Sequence, residues 1–310
     1  MPSLRCSVTA ATTILAALAC APSAALGQTV ATAGPATAPP AQSPAPKLIP
    51  TSQWSVRLEP QVWYVAPAGD LTMPGSASGT PPVQLEMLDA EEPEASAAGQ
   101  VTIRIPQNQE NRWGTDDFWK SGWFFSVGGA SFSGDTTGTA PAGGFTIGSI
   151  AVAGSAAVST SFEWSTFHAM AGKWITGSDF GTGGDVHIDL YAVAGLRVHT
   201  QDITISSGGG STTASESFGA ALVGVRLDVK FPCGFAADVN VNANYWPGDA
   251  SCTGVEISPT FTWRPTANLG VQLGYRLLIA NCESGEEGDA DYYKFDGSLA
   301  GIYAGVEIRF

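Results

Sequence analysis

The chain has 310 residues and a net charge of −14, with Asp and Glu outnumbering Lys and Arg by 28 to 14. Phosphate-backbone binding needs a concentrated basic patch, so this balance excludes nucleic acid as a partner. Charged residues make up only 14% of the chain against 10% aromatics; an ordinary soluble domain carries about 25% charged residues, which leaves this chain too poor in charge for that class.

The first segment, Met1 to Cys6, has Arg5 as its only charge, and Ser7 to Leu26 follows with none. Ala25-Leu26-Gly27 offers small residues at the usual cleavage spacing before Gln28, so residues 1–27 read as a secretory signal peptide. An uncleaved anchor and a lipoprotein cut before Cys20 are the other readings, although Ala17 stands where a lipoprotein ordinarily has Leu. No later stretch approaches the ~20 apolar residues of a spanning helix. Gln28 to Pro50 holds six Pro, six Ala and one charge, Lys47. Residues 28–52 are therefore an extended Pro/Ala-rich linker that cannot bury a core, and the folded part is 53–310.

From there the chain alternates with period two between turn residues, the pattern of β-strands with two unlike faces. Ten segments qualify: Trp54–Ala66, Gln100–Pro106 (short), Phe118–Ser133, Val158–Ile175, Asp185–Ile205, Ser217–Phe231, Phe235–Tyr245, Thr253–Trp263, Leu269–Ala280 and Ser298–Phe310. The clearest sets Phe235, Val239, Val241 and Tyr245 against Asp238, Asn240, Asn242 and Asn244. No amphipathic helical run of useful length interrupts them. Tight turns are expected at Pro232–Gly234 and Arg264–Asn268, and long or polar links at Pro67–Gly99, Ser206–Glu216 and Asn281–Tyr292. Trp54, Trp119, Trp174, Trp246 and Trp263 fall near strand ends.

The last strand carries the most specific signal. Counting back from Phe310, one parity is Ile308, Val306, Ala304, Ile302 and Ala300, and the other includes Arg309, Glu307 and Tyr303. Alternation running to a C-terminal Phe resembles the closing strand of bacterial outer-membrane β-barrels, whose terminal aromatic is read by the barrel-assembly machinery. The resemblance implies an all-β fold, a closed antiparallel transmembrane up-and-down barrel in the bacterial outer membrane of a Gram-negative-type cell envelope. Outer-membrane lipid and the assembly machinery would be its partners, Phe310 its assembly signal, and the linker would lie in the periplasm. Both termini on one side require an even strand number. Ten fits; eight follows if the first strands are miscounted, and twelve if the first long loop or Thr146–Gly154 adds a hairpin.

In such a barrel the polar parity faces the lumen. It carries Arg57, Glu59, Glu163, Asp189, Arg197, Arg226, Asp228, Lys230, Asp238, Glu256, Arg276, Glu307 and Arg309. An isolated buried charge is costly, so these mixed signs are expected to pair. A barrel this narrow is filled by side chains, whereas open channels need about sixteen strands. The expectation is a plugged lumen in a porin-like barrel with a structural or surface-interaction role. The alternatives are a narrow transporter for a small or hydrophobic solute, leaving beside the short second strand, and a membrane-embedded hydrolase or acyltransferase.

Two loops gather acid: Glu86, Asp89, Glu91, Glu92 and Glu94 in the first, and Glu283, Glu286, Glu287, Asp289 and Asp291 in the last. They could hold divalent cations, but their spacing matches no ordered calcium loop, and a solvated repulsive loop explains them. If Thr253–Trp263 and Leu269–Ala280 pair symmetrically about their turn, Trp263 meets Val271, Ile257 meets Leu277, and Cys252 meets Cys282. That makes Cys252 and Cys282 a disulfide candidate in an oxidising compartment, with Cys233 left free. His187 with Asp185 and Asp189, or His199 with Asp202, could imitate an acid/base pair. No nucleophile motif, phosphate loop, zinc spacing or cofactor signature accompanies them, so no cofactor is expected.

Overall fold

The computed structural model describes residues 54–105, 122–180, 186–231 and 234–310. The chain divides into two units, Met1–Pro44 and Ala45–Phe310, and every described residue belongs to the second. The signal peptide, the whole linker, Trp119, Asp185 and Cys233 lie outside the described residues.

The elements are β1 (Ser55–Thr72), β2 (Val83–Gln84), a single 3-10 turn (Leu85–Leu88), β3 (Glu94–Arg104), β4 (Trp123–Thr139), β5 (Phe145–Ile147), β6 (Ile150–Val152), β7 (Ala157–Phe180), β8 (Val186–Ser207), β9 (Gly210–Lys230), β10 (Phe235–Trp246), β11 (Ala250–Trp263), β12 (Leu269–Ser284) and β13 (Tyr293–Arg309). Ten of them pair with their chain neighbours, and β13 pairs back onto β1. The chain is a closed antiparallel up-and-down β-barrel. The short β2 adds only to the edge of β1, and β5 and β6 form a separate hairpin. The twelve-strand count therefore fails: the Thr146–Gly154 hairpin is real but stays out of the ring.

Register makes the closure quantitative. Leu58 leads through Val101, Val127, Ala169, Leu196, Ala221, Tyr245, Thr253, Asn281 and Asp296 back to Asp70, twelve residues further along β1. A stagger of this kind is what tilts barrel strands by about 35–45°. β11 and β12 pair symmetrically about their turn, with Trp263 opposite Val271 and Ile257 opposite Leu277.

Along each strand the parity stays constant while its chemistry changes partway. On β8 the outward side chains run Ile188, Leu190, Ala192, Ala194, Leu196 and Val198, then Thr200, Asp202, Thr204 and Ser206. The inward ones run Asp189, Tyr191, Val193, Gly195, Arg197, His199 and Gln201 and end with Ile203 and Ile205, both fully buried. Below the change the strand is apolar outside and holds its charges, Asp189 and Arg197, inside among Tyr191 and Val193; above it the outside is polar and the inside apolar. Here "lower" means the end where β1 begins and β13 ends. At 3.3 Å per residue and such a tilt, Ile188 to Val198 make an apolar outer belt about 25 Å tall. Leu196, Val223, Val62, Leu273 and Ile302 are among its exposed side chains.

Several sequence expectations are corrected by this geometry. The Ser206–Glu216 link is not a loop: β8 and β9 continue to a two-residue turn at Gly208-Gly209, with φ of 58° and 88°. Those values suit glycine and the tight turn of a hairpin. Ser211, Thr213 and Ser215 read as loop residues because their inward neighbours, Thr212 and Ala214, are small. Glu163 faces outward, opposite Asp202, rather than into the lumen. Trp174 is inward and buried, donating its indole N–H to Asp189 at 2.9 Å. A register shift between Trp174 and Thr176 turns that part of β7.

Candidate functional site

The functional site of a barrel is its lumen and mouth. Here the lumen has three levels. The lowest is an ion network centred on Glu307, which is fully buried. Its carboxylate takes Arg264 and Arg309 at 2.6 Å each and Arg57 at 3.4 Å. Arg57 also meets Glu59 at 2.9 Å, and Glu59 accepts from Gln272 at 2.5 Å and Gln100 at 2.7 Å. Across the lumen, Asp228 lies between Arg226 at 2.6 Å and Arg104, and Arg226 reaches Asp238 at 3.2 Å. Asp189 takes Lys230 at 2.9 Å and His187 at 3.0 Å.

Glu256 anchors the next level, between Arg197 and Arg276, the latter at 3.1 Å. The Arg276 guanidinium lies 5.4 Å from the Trp63 ring centre and 5.9 Å from that of Tyr303, where cation–π attraction adds to the ion pair. Tyr303 itself lies flat only because it covers Gly274: a Cβ there would stand 2.3 Å from the ring. Gly172 gives Phe124 the same room, with a Cβ clash at 2.0 Å.

Around this level His168 Nε2, His199 Nε2, Gln201 Nε2, Asn244 Nδ2 and Arg197 Nε are buried without a hydrogen-bond partner among the described residues. Groups of this kind are served by internal water.

The upper level is apolar. Phe132, Phe162, Trp164 and Phe218 on β4, β7 and β9 meet Tyr293 and Phe295 on β13. Trp164 and Phe295 are edge-to-face at 5.0 Å, Phe162 lies 5.9 Å from Phe295, and Phe218 stacks on Tyr293 at 6.2 Å. Strands from opposite sides of the ring thus touch across the lumen. Each such fully buried side chain is worth roughly 1.5–3 kcal/mol.

Loop residues complete the seal. β3 starts at Glu94 opposite Val65, so β1 above Val65 and β4 above Ala130 have no β3 partner. Val83, Leu85, Leu88 and Met73 of the first long loop fill that gap and join the aromatic cluster, as do Ile147, Ile150 and Val152 of the β5–β6 hairpin. The Leu88 carbonyl accepts from Thr136 at 3.3 Å and Thr160 at 3.5 Å. Gly75 N–H donates to the Ala290 carbonyl at 2.7 Å and Gly148 N–H to Ser76 Oγ at 3.0 Å, which ties three outer loops together.

Between the first and last loops lies a polar cavity of about 270 Å³ lined by Asp70, Thr72, Ser76, Tyr292, Lys294 and Asp296 among others. Burial pushes the Tyr292 phenol above its ordinary value. Burial and the neighbouring Glu86 carboxylate push the Glu91 carboxyl up. Among the described residues no group of three or more His, Cys, Asp or Glu is placed to hold a metal ion. Glu94 and Glu283 stand at strand ends, Glu283 3.8 Å from Lys294, and the other acids of the two loops are spread over exposed positions.

Cys252 and Cys282 lie directly opposite each other on β11 and β12, Cα to Cα 4.1 Å, joined by a disulfide and fully buried beside the aromatic cluster. His187 reaches Asp179 at 2.6 Å and Asp189 at 3.0 Å. His199 and Asp202 do not meet: His199 points inward, accepting from the Trp164 indole at 3.3 Å, while Asp202 points outward. Their odd separation on one strand already places them on opposite faces. Two members of the ion network escaped the sequence reading. Arg104 ends the short β3, and Arg264 looked like a turn residue, yet each continues the inward parity of its strand.

No family model and no curated protein matches the chain. Among solved structures the chain is similar to the outer membrane protease OmpT from Escherichia coli, with 9% identity and a TM-score of 0.41 over 83% of this chain and 97% of that one. It is also similar to Neisserial surface protein A, with 13% identity and a TM-score of 0.29 over 83% and 97%. Ail, the attachment invasion locus protein of Yersinia pestis, gives 9% and 0.30 over 82% and 99%. At such identities no residue role transfers to this chain.

Proposed function

We propose that this chain is a small bacterial outer-membrane β-barrel protein with a structural or surface-interaction role, exported by its signal peptide and sealed rather than conducting. The apolar outer belt has the height and continuity that lipid requires, and the lower end, where both chain ends of the barrel lie, faces the periplasm. The oxidising compartment suits the Cys252–Cys282 bridge. One observation carries the sealed reading: Trp164, Phe162 and Phe295 meet across the lumen beneath Leu85 and Leu88. In planar bilayers the purified protein is expected to give no stable conductance, and a large, steady one overturns the proposal.

A narrow transporter is the second reading, and one feature favours it. Above β3 the wall is closed by the first long loop, of which only the two-residue β2 hydrogen-bonds to β1. Passage would require that loop to leave. Uptake of small apolar solutes into protein-loaded liposomes, abolished by locking the loop, distinguishes it from a structural role.

A further inference from the structure

Above the apolar belt, the outer face of β4, β7, β8 and β9 changes character within a single row. The last apolar row is Gly129, Phe167, Val198 and Gly219. The next is Ser131, Ser165, Thr200 and Ser217, and above it come Ser133, Glu163, Asp202 and Ser215. Two further rows carry Asp135 and otherwise only Ser and Thr, ending at Thr137, Ser159, Ser206 and Ser211. The result is a grid four strands wide and four rows tall, with no Lys, Arg or apolar side chain in it. No basic group pairs with Asp135, Glu163 or Asp202 among the described residues.

An exposed sheet face made for water alone usually mixes Lys with Glu, and like charges directly opposed, as Glu163 and Asp202 are, weaken a sheet. The hydroxyls are partly paired along the rows, Thr204 with Thr213 and Ser206 with Ser211 at 3.2 Å, Thr200 with Ser217 at 3.4 Å. A hydroxyl has one donor and two acceptor sites, so each pair leaves capacity facing outward.

We propose that this grid docks the sugar-bearing headgroups of the surrounding outer-leaflet lipid. The inference rests on the membrane reading above. The rows begin about 7 Å along the strand above the lipid-facing belt, so the layer they meet is the headgroup layer of the same leaflet. A face without cations has no charge to pair with phosphate, and its carboxylates repel it, whereas its hydroxyls donate to and accept from sugar hydroxyls and its carboxylates accept from them.

The test uses the full barrel in phosphatidylcholine nanodiscs with and without lipopolysaccharide, with retained lipid counted by native mass spectrometry. The wild type is expected to retain the glycolipid over phosphatidylcholine by about tenfold, the worth of one or two hydrogen bonds. A variant combining Thr200→Val, Thr204→Val, Thr213→Val, Glu163→Gln and Asp202→Asn keeps shape and insertion and should lose that preference. Equal retention by wild type and variant overturns the docking surface. So does a preference that disappears with EDTA, which would assign it to bridging divalent cations. Protein that does not insert, judged by absent heat-modifiable gel mobility, sinks the membrane reading as well.

Discussion

Glu307 shows how much one residue can organise. Three guanidinium groups, from Arg57, Arg264 and Arg309, converge on a carboxylate with no solvent contact. Desolvating the four groups costs about as much as their attraction returns, so the cluster specifies the lumen's packing more than it stabilises it. Removing one partner is a different matter, because like charges are then left together. Glu307→Gln should destabilise the barrel by about 3 kcal/mol, read by urea unfolding in lipid, and the loss should be partly reversed by adding Arg57→Met. Glu91 acts in the opposite sense. Its raised pKa means that the folded loop binds a proton more tightly than the unfolded chain. Stability from this group is therefore greatest at acidic pH and falls as pH rises from the ordinary carboxylate value through the raised one. Glu91→Gln should slow amide exchange of Leu85–Ala90 at neutral pH, and that difference should vanish in acid.

At the scale of elements, the first long loop is the part most exposed to challenge. Its 3-10 turn is one turn long and holds its place through Leu85 and Leu88, both buried, and through the two threonine bonds to the Leu88 carbonyl. Leu88→Ala leaves a cavity under the lid, a change that costs about 2–5 kcal/mol in packed cores. Here the cost should appear as local opening. Faster exchange across Val83–Ala90, with unchanged exchange in β8, is the expected outcome; a uniform change would mean that the loop is not a separate unit. The strands differ in how plainly they could be read. β10 is legible throughout because it stops near the top of the belt, so Val239, Val241 and Ala243 oppose Asn240, Asn242 and Asn244 along its whole length. β9 is legible only from Ser217 down. Above that its inner side chains are small and its outer ones hydroxylated, which erases the contrast on which periodicity depends. Glu163 was misplaced for the same reason: β7 keeps its parity through the reversal, and a charge on it changes meaning with height.

At the scale of the molecule, the reversal divides the barrel into two halves. The lower half has apolar residues outside and most of its paired charges inside. The upper half has Ser and Thr outside on β7, β8 and β9 and aromatics inside. Both use the same strands and the same register. Eight of the basic side chains, Arg57, Arg104, Arg197, Arg226, Lys230, Arg264, Arg276 and Arg309, are spent inside the lumen. The upper loops are left acidic, with Lys294 the one base of the barrel's upper end among the described residues.

By itself the sequence left eight, ten and twelve strands open, while it carried the alternation of most strands and the symmetric register of β11 on β12. Those depend on a two-residue period and on turn symmetry, both local properties of the chain. It also indicated most of the charges that share a face, from Arg57 through Arg309, but set Glu163 among them and passed over Arg104 and Arg264. Only the tertiary structure decided what that face confronts at each height. Whether an inward Phe295 meets Trp164, or Arg264 meets Glu307, depends on strands far apart in sequence and on a stagger that accumulates only once the ring closes. Whether the same outward parity carries apolar side chains or hydroxyls depends on where along the tilt each strand leaves the belt. Phe310 and its alternating strand could announce a barrel, but only the closed ring brings Trp164 and Phe295 together across its upper half.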